Sequence, residues 1–238
     1  RFTRNVTTMY AMFYHCDNLT SLYIEGFNTE KVTNMKLMFT NCFSLKKLDV
    51  SDFKMDNVTN ANRMFSQCHC LTTLDLSSFN TGNVLDMRRM FNSCSNLTNL
   101  DVSSFNKSKV TKMGGMFNDC PVLVNLDITN FNTSKVTDMS LMFSGCSSLV
   151  SLDLSNFNTA AVTTMTNMFY GCTTLTTITV ACEWNTDAVT ESSDMFLDCT
   201  SIKGRKGTTY DPNHVDKSYA HNDEGASNPG YLTDKLEV

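Results

Sequence analysis

The 238-residue chain is 41% hydrophobic and 18% charged, enough to bury a sizeable core, and carries a formal net charge of −5. That acidity argues against a sequence-independent grip on phosphate backbones, which relies on clustered Lys and Arg, so nucleic acid is not an expected partner. No apolar run reaches the roughly 20 residues that a membrane-spanning helix needs, so none is expected in this chain.

The dipeptide Met-Phe first occurs at Met12-Phe13 and then at Met38-Phe39, Met64-Phe65, Met90-Phe91, Met116-Phe117, Met142-Phe143 and Met168-Phe169, each step being 26 residues; an eighth, Met195-Phe196, follows after 27. A cysteine column from Cys16 to Cys199 and a valine column from Val6 to Val189 keep the same register. Fixed periods of this length mark stacked-repeat architectures. The chain starts abruptly at Arg1, which leads to the expectation of a fragment of a longer protein.

Within a unit the apolar spacing changes. Val136, Met139, Met142, Phe143 and Cys146 lie three or four apart, the spacing of one helix face. Leu149, Leu152 and Leu154 then follow a Leu-x-x-Leu-x-Leu pattern whose last two members alternate as a half-buried strand does. Ser155 to Thr159, with Phe157 at the centre, returns the chain through turn- and cap-forming residues to Val162. Each unit is thus read as one coil of short helix and short strand. A single coil cannot bury its apolar stripe, but a stack can.

These readings predict an α/β fold: a right-handed leucine-rich-repeat solenoid of about eight 26-residue coils, with a parallel sheet on the concave face and short helices on the convex face. Residues 1–202 are assigned to the solenoid and 203–238 to a C-terminal capping segment. The last unit departs from the pattern, with an insertion and Trp184 where Phe is expected, as terminal repeats do. In the third unit Ala61 replaces a Met and Lys54-Met55 replaces Asn-Thr, which is read as drift.

Strand residues that alternate with the buried leucines should face outward. In the first two units these include Tyr23, Glu25 and Lys47, and in the middle units they form an aspartate column at Asp49, Asp75, Asp101, Asp127 and Asp153. These eight are the candidate binding residues. The column has two readings: carboxylates solvated and hydrogen-bonded by flanking Ser, Thr and Asn, or a surface for a cation or a basic partner.

Ten cysteines invite a disulfide framework, but equivalent residues on stacked coils stay near the coil separation of about 4.8 Å, too far apart for a bridge. The eight column cysteines are expected to be free, buried and inert. No metal site is assigned, because Cys68-His69-Cys70 lacks a second ligand pair. No cofactor is expected either, since Met at helical spacing is core filling. The four histidines, His15, His69, His214 and His221, never recur, and no nucleophile, base and orienting group come together, so an enzyme is not expected.

Leu-x-x-Leu-Asp-Leu-Ser-x-Phe-Asn-Thr at 149–159, followed by Val-Thr-x-Met-x-x-Met-Phe-x-x-Cys at 162–172, resembles the BspA-like leucine-rich repeats of bacterial surface proteins. The resemblance covers residue 5 to about 202, and the tail through Tyr210, Tyr219 and Tyr231 is similar to the segment that closes such arrays. It implies an extracellular or cell-surface location and adhesion to a host or matrix protein or a glycan, with no catalytic residues to carry over. The expected function is therefore a binding module, expected to be monomeric, that uses its Asp-lined concave face; the alternative is a structural spacer within a longer surface protein.

Overall fold

The computed structural model describes residues 3–105 and 109–235. Residues 1–2 and 106–108 of the predicted repeat region and 236–238 of the predicted cap lie outside the described residues.

The Leu-x-Leu stretches form short strands: β1 (Ser21–Leu22), β2 (Lys47–Leu48), β3 (Asn99–Asp101), β4 (Asn125–Asp127), β5 (Ser151–Asp153) and β6 (Thr177–Val180). A seventh, β7 (Leu232–Asp234), comes from the tail. All pair in parallel, with equivalent residues of successive coils opposite one another: Ser21 faces Lys47, Leu100 faces Leu126, and Leu152 faces Ile178. One continuous sheet was the expectation; three short sheets are found among the described residues, β1-β2, β3-β4 and β5-β6-β7. A competing acceptor cuts the strands short. Two residues beyond each aspartate the backbone N–H donates to that carboxylate instead of to a neighbouring coil, as from Ser103 to Asp101 Oδ1 at 2.9 Å.

The opposite wall corrects the expectation of convex helices. Among the described residues the only helical element is a 3-10 turn at Lys217–Tyr219, in the tail. Where helices were predicted, alternate N–H groups cross to the next coil: Met35 to Asn60 O (2.9 Å), Leu37 to Asn62 O (3.0 Å), Phe39 to Met64 O (2.9 Å) and Asn41 to Ser66 O (3.0 Å). The N–H groups between them close tight turns three residues back, as from Met38 to Met35 O and Cys42 to Phe39 O, both 3.2 Å. An α-helix would send each of them to the carbonyl four residues back. The turns need a left-handed residue at every fourth position, and Leu37 (φ 61°) and Asn41 (φ 64°) supply it in this coil. Parallel bridges run along this wall in one row from Thr8 through Asn34, Asn60, Asp86, Lys112, Asp138 and Thr164 to Glu191.

Spacing explains why a helix does not fit. The Met-Phe rings stack nearly parallel, from Phe13 on Phe39 at 5.4 Å to Phe117 on Phe143 at 5.9 Å. A helix with side chains is about 10 Å across, roughly twice that repeat. Both walls are instead bridged coil to coil in parallel.

Columns of Leu, Val, Met and Phe fill the interior, almost all of them fully buried. The cysteine column is part of it. Each thiol from Cys42 onward donates to a Phe carbonyl of the preceding coil, Cys94 to Phe65 O and Cys120 to Phe91 O at 3.2 Å. Burial pushes the Cys42 and Cys120 thiols up to about 12, so they stay protonated and unreactive near neutral pH. A threonine column adds a second buried tie. Thr133 Oγ1 donates to Asn158 O (2.9 Å) and accepts from Asn158 N (2.8 Å), and Thr159 bonds the backbone of Asn185 in the same two ways.

Because the turn-wall N–H groups of residues such as Met35 and Phe39 point to the following coil, the turn wall of each coil has a donor edge and an acceptor edge. The tail supplies acceptors to the last donor edge: Phe196 N–H donates to Val215 O (2.8 Å) and Asp198 N–H to the Tyr210 hydroxyl (3.2 Å). Tyr231 packs edge-on against Phe196 at 5.1 Å, and β7 pairs with β6, Ile178 opposite Leu232. The Trp184 indole N–H donates to Ala220 O at 3.0 Å, so the departure from Phe anchors the tail. Asp223 holds the tail's own turns, accepting from Lys206 N (2.6 Å), Thr208 N (3.2 Å), Thr208 Oγ1 (2.7 Å) and Gly225 N (2.9 Å). Burial alone would raise its pKa, but these four bonds outweigh burial and lower it to about 2.

Two outcomes follow. Thr133→Val, nearly isosteric, leaves the Asn158 N–H and C=O unpaired and should cost about 1–3 kcal/mol in denaturant unfolding. Asp223 is depressed in the folded state, so its contribution is complete above the unfolded carboxylate value of about 4 and is lost as pH falls through about 2. Melting temperature across that window should fall less steeply for Asp223→Asn than for the unaltered protein.

Candidate functional site

Alternation along the strands sets what the strand face presents. Leu48, Leu74 and Leu100 point into the core, while Lys47, Asp49, Asp75 and Asp101 are exposed beside them. Asp127 is exposed as well, and Asp153 is half-buried.

Each aspartate of the column closes a turn. Asp49 Oδ1 accepts from Ser51 N (3.0 Å), Asp75 from Ser77 N (2.9 Å), Asp127 from Thr129 N (3.0 Å) and Thr129 Oγ1 (2.6 Å), and Asp153 from Ser155 N (2.9 Å). The hydroxyl and then the amide of the residue two positions on hold Asp49, Asp75, Asp101 and Asp127 below the usual carboxylate range. For Asp153 burial acts the other way, and Ser155 together with Lys235 overcomes it. Lys235 Nζ reaches both Asp153 Oδ2 (3.3 Å) and Ser155 Oγ (2.8 Å), so the tail neutralises the last rung of the column. Among the described residues no group of three or more His, Cys, Asp or Glu side chains converges in a way that could hold a metal ion.

The eight predicted residues do not all line one depression. Tyr23, Glu25, Lys47, Asp49 and Asp75 come together around a depression of about 610 Å³ across the first coils, with Ser51 and Thr73. Asp101, Asp127 and Asp153 do not line it. The Tyr23 ring is 83% exposed, the most exposed large hydrophobic side chain among the described residues. Lys46 and Asp52 also line the depression. Strand alternation missed both because they sit just outside the Lys47–Leu48 strand. The available signal was compositional: Lys46, Lys47, Asp49 and Asp52 crowd into one loop-strand-turn segment. One aromatic ring, one or two ammonium groups and several carboxylates suit a polar ligand that offers hydroxyls or mixed charge.

The histidines fall apart in space as they do in sequence. His15 bonds Asp17 (3.3 Å), His69 lies against Phe43, His214 Nδ1 bonds Asp211 Oδ2 (2.9 Å), and His221 Nδ1 bonds Asn222 O (2.9 Å).

If the column aspartates serve mainly as turn acceptors, Asp101→Asn should keep the melting temperature close to that of the unaltered chain. Asp101→Ala, which removes the acceptor for Ser103 N, should lower it by a few degrees in a calorimetric scan.

The model of a protein family described as "Mycoplasma protein of unknown function, DUF285" matches residues 2–100 and 90–210. A comparison with curated proteins gives no match. Among solved structures, a leucine rich cell surface protein from Faecalibacterium prausnitzii is similar at 20% identity with a TM-score of 0.38. That match covers 80% of this chain and 60% of the other, so the chain spans less than two thirds of that protein's length.

Proposed function

The chain belongs to the family described as "Mycoplasma protein of unknown function, DUF285", and we propose that it is a non-catalytic recognition module of the bacterial cell surface, contacting a host or matrix protein or a glycan. The contact is made through the depression around Tyr23, Glu25, Lys47, Asp49 and Asp75. One observation carries this reading: Tyr23, Glu25 and Lys47, which do not recur along the repeat, gather around this depression at one end of the recurring Asp column. An aromatic ring held 83% exposed has no role in the stack, and Tyr is a residue type enriched where binding energy concentrates. The surface location rests on the resemblance of the repeat to BspA-like proteins.

The non-catalytic reading is supported by how the titratable groups are used. The column carboxylates are committed to turn closure, the column thiols to Phe carbonyls, and the histidines stand apart. A single stack with its last edge closed by the tail fits a monomer. The spacer reading has its own support, since the Asp column has a structural role that needs no ligand.

A surface-binding screen against matrix proteins and glycans separates the two. The recognition reading expects a saturable ligand whose binding drops about tenfold or more in Tyr23→Ala/Lys47→Ala and is unchanged in Asp101→Asn/Asp127→Asn. A ligand lost only in the second variant would move the contact to the Asp column, and no ligand across the screen favours the spacer.

A further inference from the structure

A second polar groove lies on the turn wall, on the far side of the core from the Asp column. It has a volume of about 370 Å³ and is lined by Lys36, Arg63, Arg88, Arg89, Gly114 and Asp138 among others. The cations come from three consecutive coils of a chain whose net charge is −5. Nothing in the repeat calls for them. The positions equivalent to Arg63 and Arg89 hold Ala11, Leu37, Gly115, Leu141 and Asn167 in other coils, and the position equivalent to Arg88 holds Tyr10, Gly114 and Ser140.

The arrangement organises the guanidinium groups. Arg88 forks onto Asp86, Nε to Oδ1 at 3.0 Å and Nη2 to Oδ2 at 2.6 Å, which fixes its plane and neutralises it. Arg63 (φ 55°) and Arg89 (φ 56°) occupy the same left-handed turn position in adjacent coils, so their side chains leave the backbone in the same direction one coil apart. Adjacent bridged coils are separated by about 4.8 Å, a spacing at which two guanidinium forks can share one tetrahedral oxyanion. Two glycines clear the groove. A Cβ at Gly114 would meet Asp138 Oδ2 at 2.9 Å, and one at Gly115 would meet Arg89 Cγ at 3.0 Å, so the Arg89 stem lies close over Gly115. Asp138 is the opposing charge on the groove wall, with its Oδ1 held by Ser140 N (3.0 Å) and Ser140 Oγ (2.6 Å). With Lys36, Arg63 and Arg89 against Asp138, the groove carries surplus positive charge that Arg88 and Asp86 do not alter.

We infer that this groove binds a tetrahedral oxyanion of the sulfate-ester or phosphate-ester class, held between the Arg63 and Arg89 guanidinium groups with Lys36 beside them. It is a second site, independent of the depression on the strand face. Asp138 limits its affinity by repelling the bound anion.

The test is isothermal titration at low ionic strength with inorganic sulfate and inorganic phosphate, using sodium chloride at matched ionic strength as control. Saturable binding of at least one of the two is expected. Arg63→Ala and Arg89→Ala should each weaken it about tenfold, the loss of one charge-assisted contact. Asp138→Asn should tighten it, and Asp101→Asn on the strand face should leave it unchanged. The sign reversal at Asp138 cannot arise from unfolding, so a damaged variant would not be mistaken for support. Repeating the titration with a sulfated and a phosphorylated monosaccharide identifies which ester fits better. Absence of saturable binding, equal binding by the arginine variants, or weaker binding by Asp138→Asn would overturn the assignment.

Discussion

Every coil depends on one hydrogen-bonding choice. On the turn wall the backbone gives alternate N–H groups to the next coil and keeps the others for its own turns, as at Phe91 (to Met116 O, 3.0 Å) and Met90 (to Met87 O, 3.2 Å). This satisfies the buried polar backbone without a helix and fixes the coil repeat near strand spacing on both walls. The Phe ladder, the thiol column and the threonine column all follow from that spacing. Rings 5.4–5.9 Å apart can stack, a thiol can reach the carbonyl of the preceding coil, and a single hydroxyl can bond the backbone of the next. The same choice gives the turn wall a direction, so the tail that closes that wall must offer acceptors, and Val215 O and the Tyr210 hydroxyl do so.

The stack itself was legible because a 26-residue register cannot survive in a fold where equivalent residues are not superposed. The parallel strands were legible from Leu-x-Leu alternation. The convex helices were not formed, and the reason is instructive. Apolar residues at spacings of three and four define a helix face, but a ribbon of four-residue turns buries the same positions. The difference lay in the residues between them. Asn41, Ser93, Asp119, Gly145 and Gly171 fall in one column with Gly114-Gly115 near it, and Gly, Asn and Asp are unfavourable in a helix interior but suited to left-handed turns. The extent of the sheet was also overread. The Asp-x-Ser pattern that marks the strand face also ends each strand, because the carboxylate takes the amide that would have continued the ladder.

On the candidate site, alternation correctly turned Tyr23, Lys47 and the aspartates outward, yet it could not say which of them meet. Five gather at one end, and Asp101, Asp127 and Asp153 stay on the uniform part of the face. The basic groove was hidden for a different reason. Its residues come singly from successive coils, and on a wall read as helical Arg63, Arg88 and Arg89 pass for ordinary solvated charge. Only the turn geometry aligns them. The molecule thus carries two unlike surfaces on one scaffold, an acidic aromatic depression among the strands and a basic groove among the turns.

Scalar couplings transmitted through hydrogen bonds, measured by NMR on labelled protein, test the underlying backbone arrangement most directly. The account predicts a coupling from the Phe91 amide nitrogen to the Met116 carbonyl carbon, with the equivalent coupling from Phe117 to Met142. A coupling from Phe91 to Met87, four residues back, would mean that the wall is helical and would contradict it.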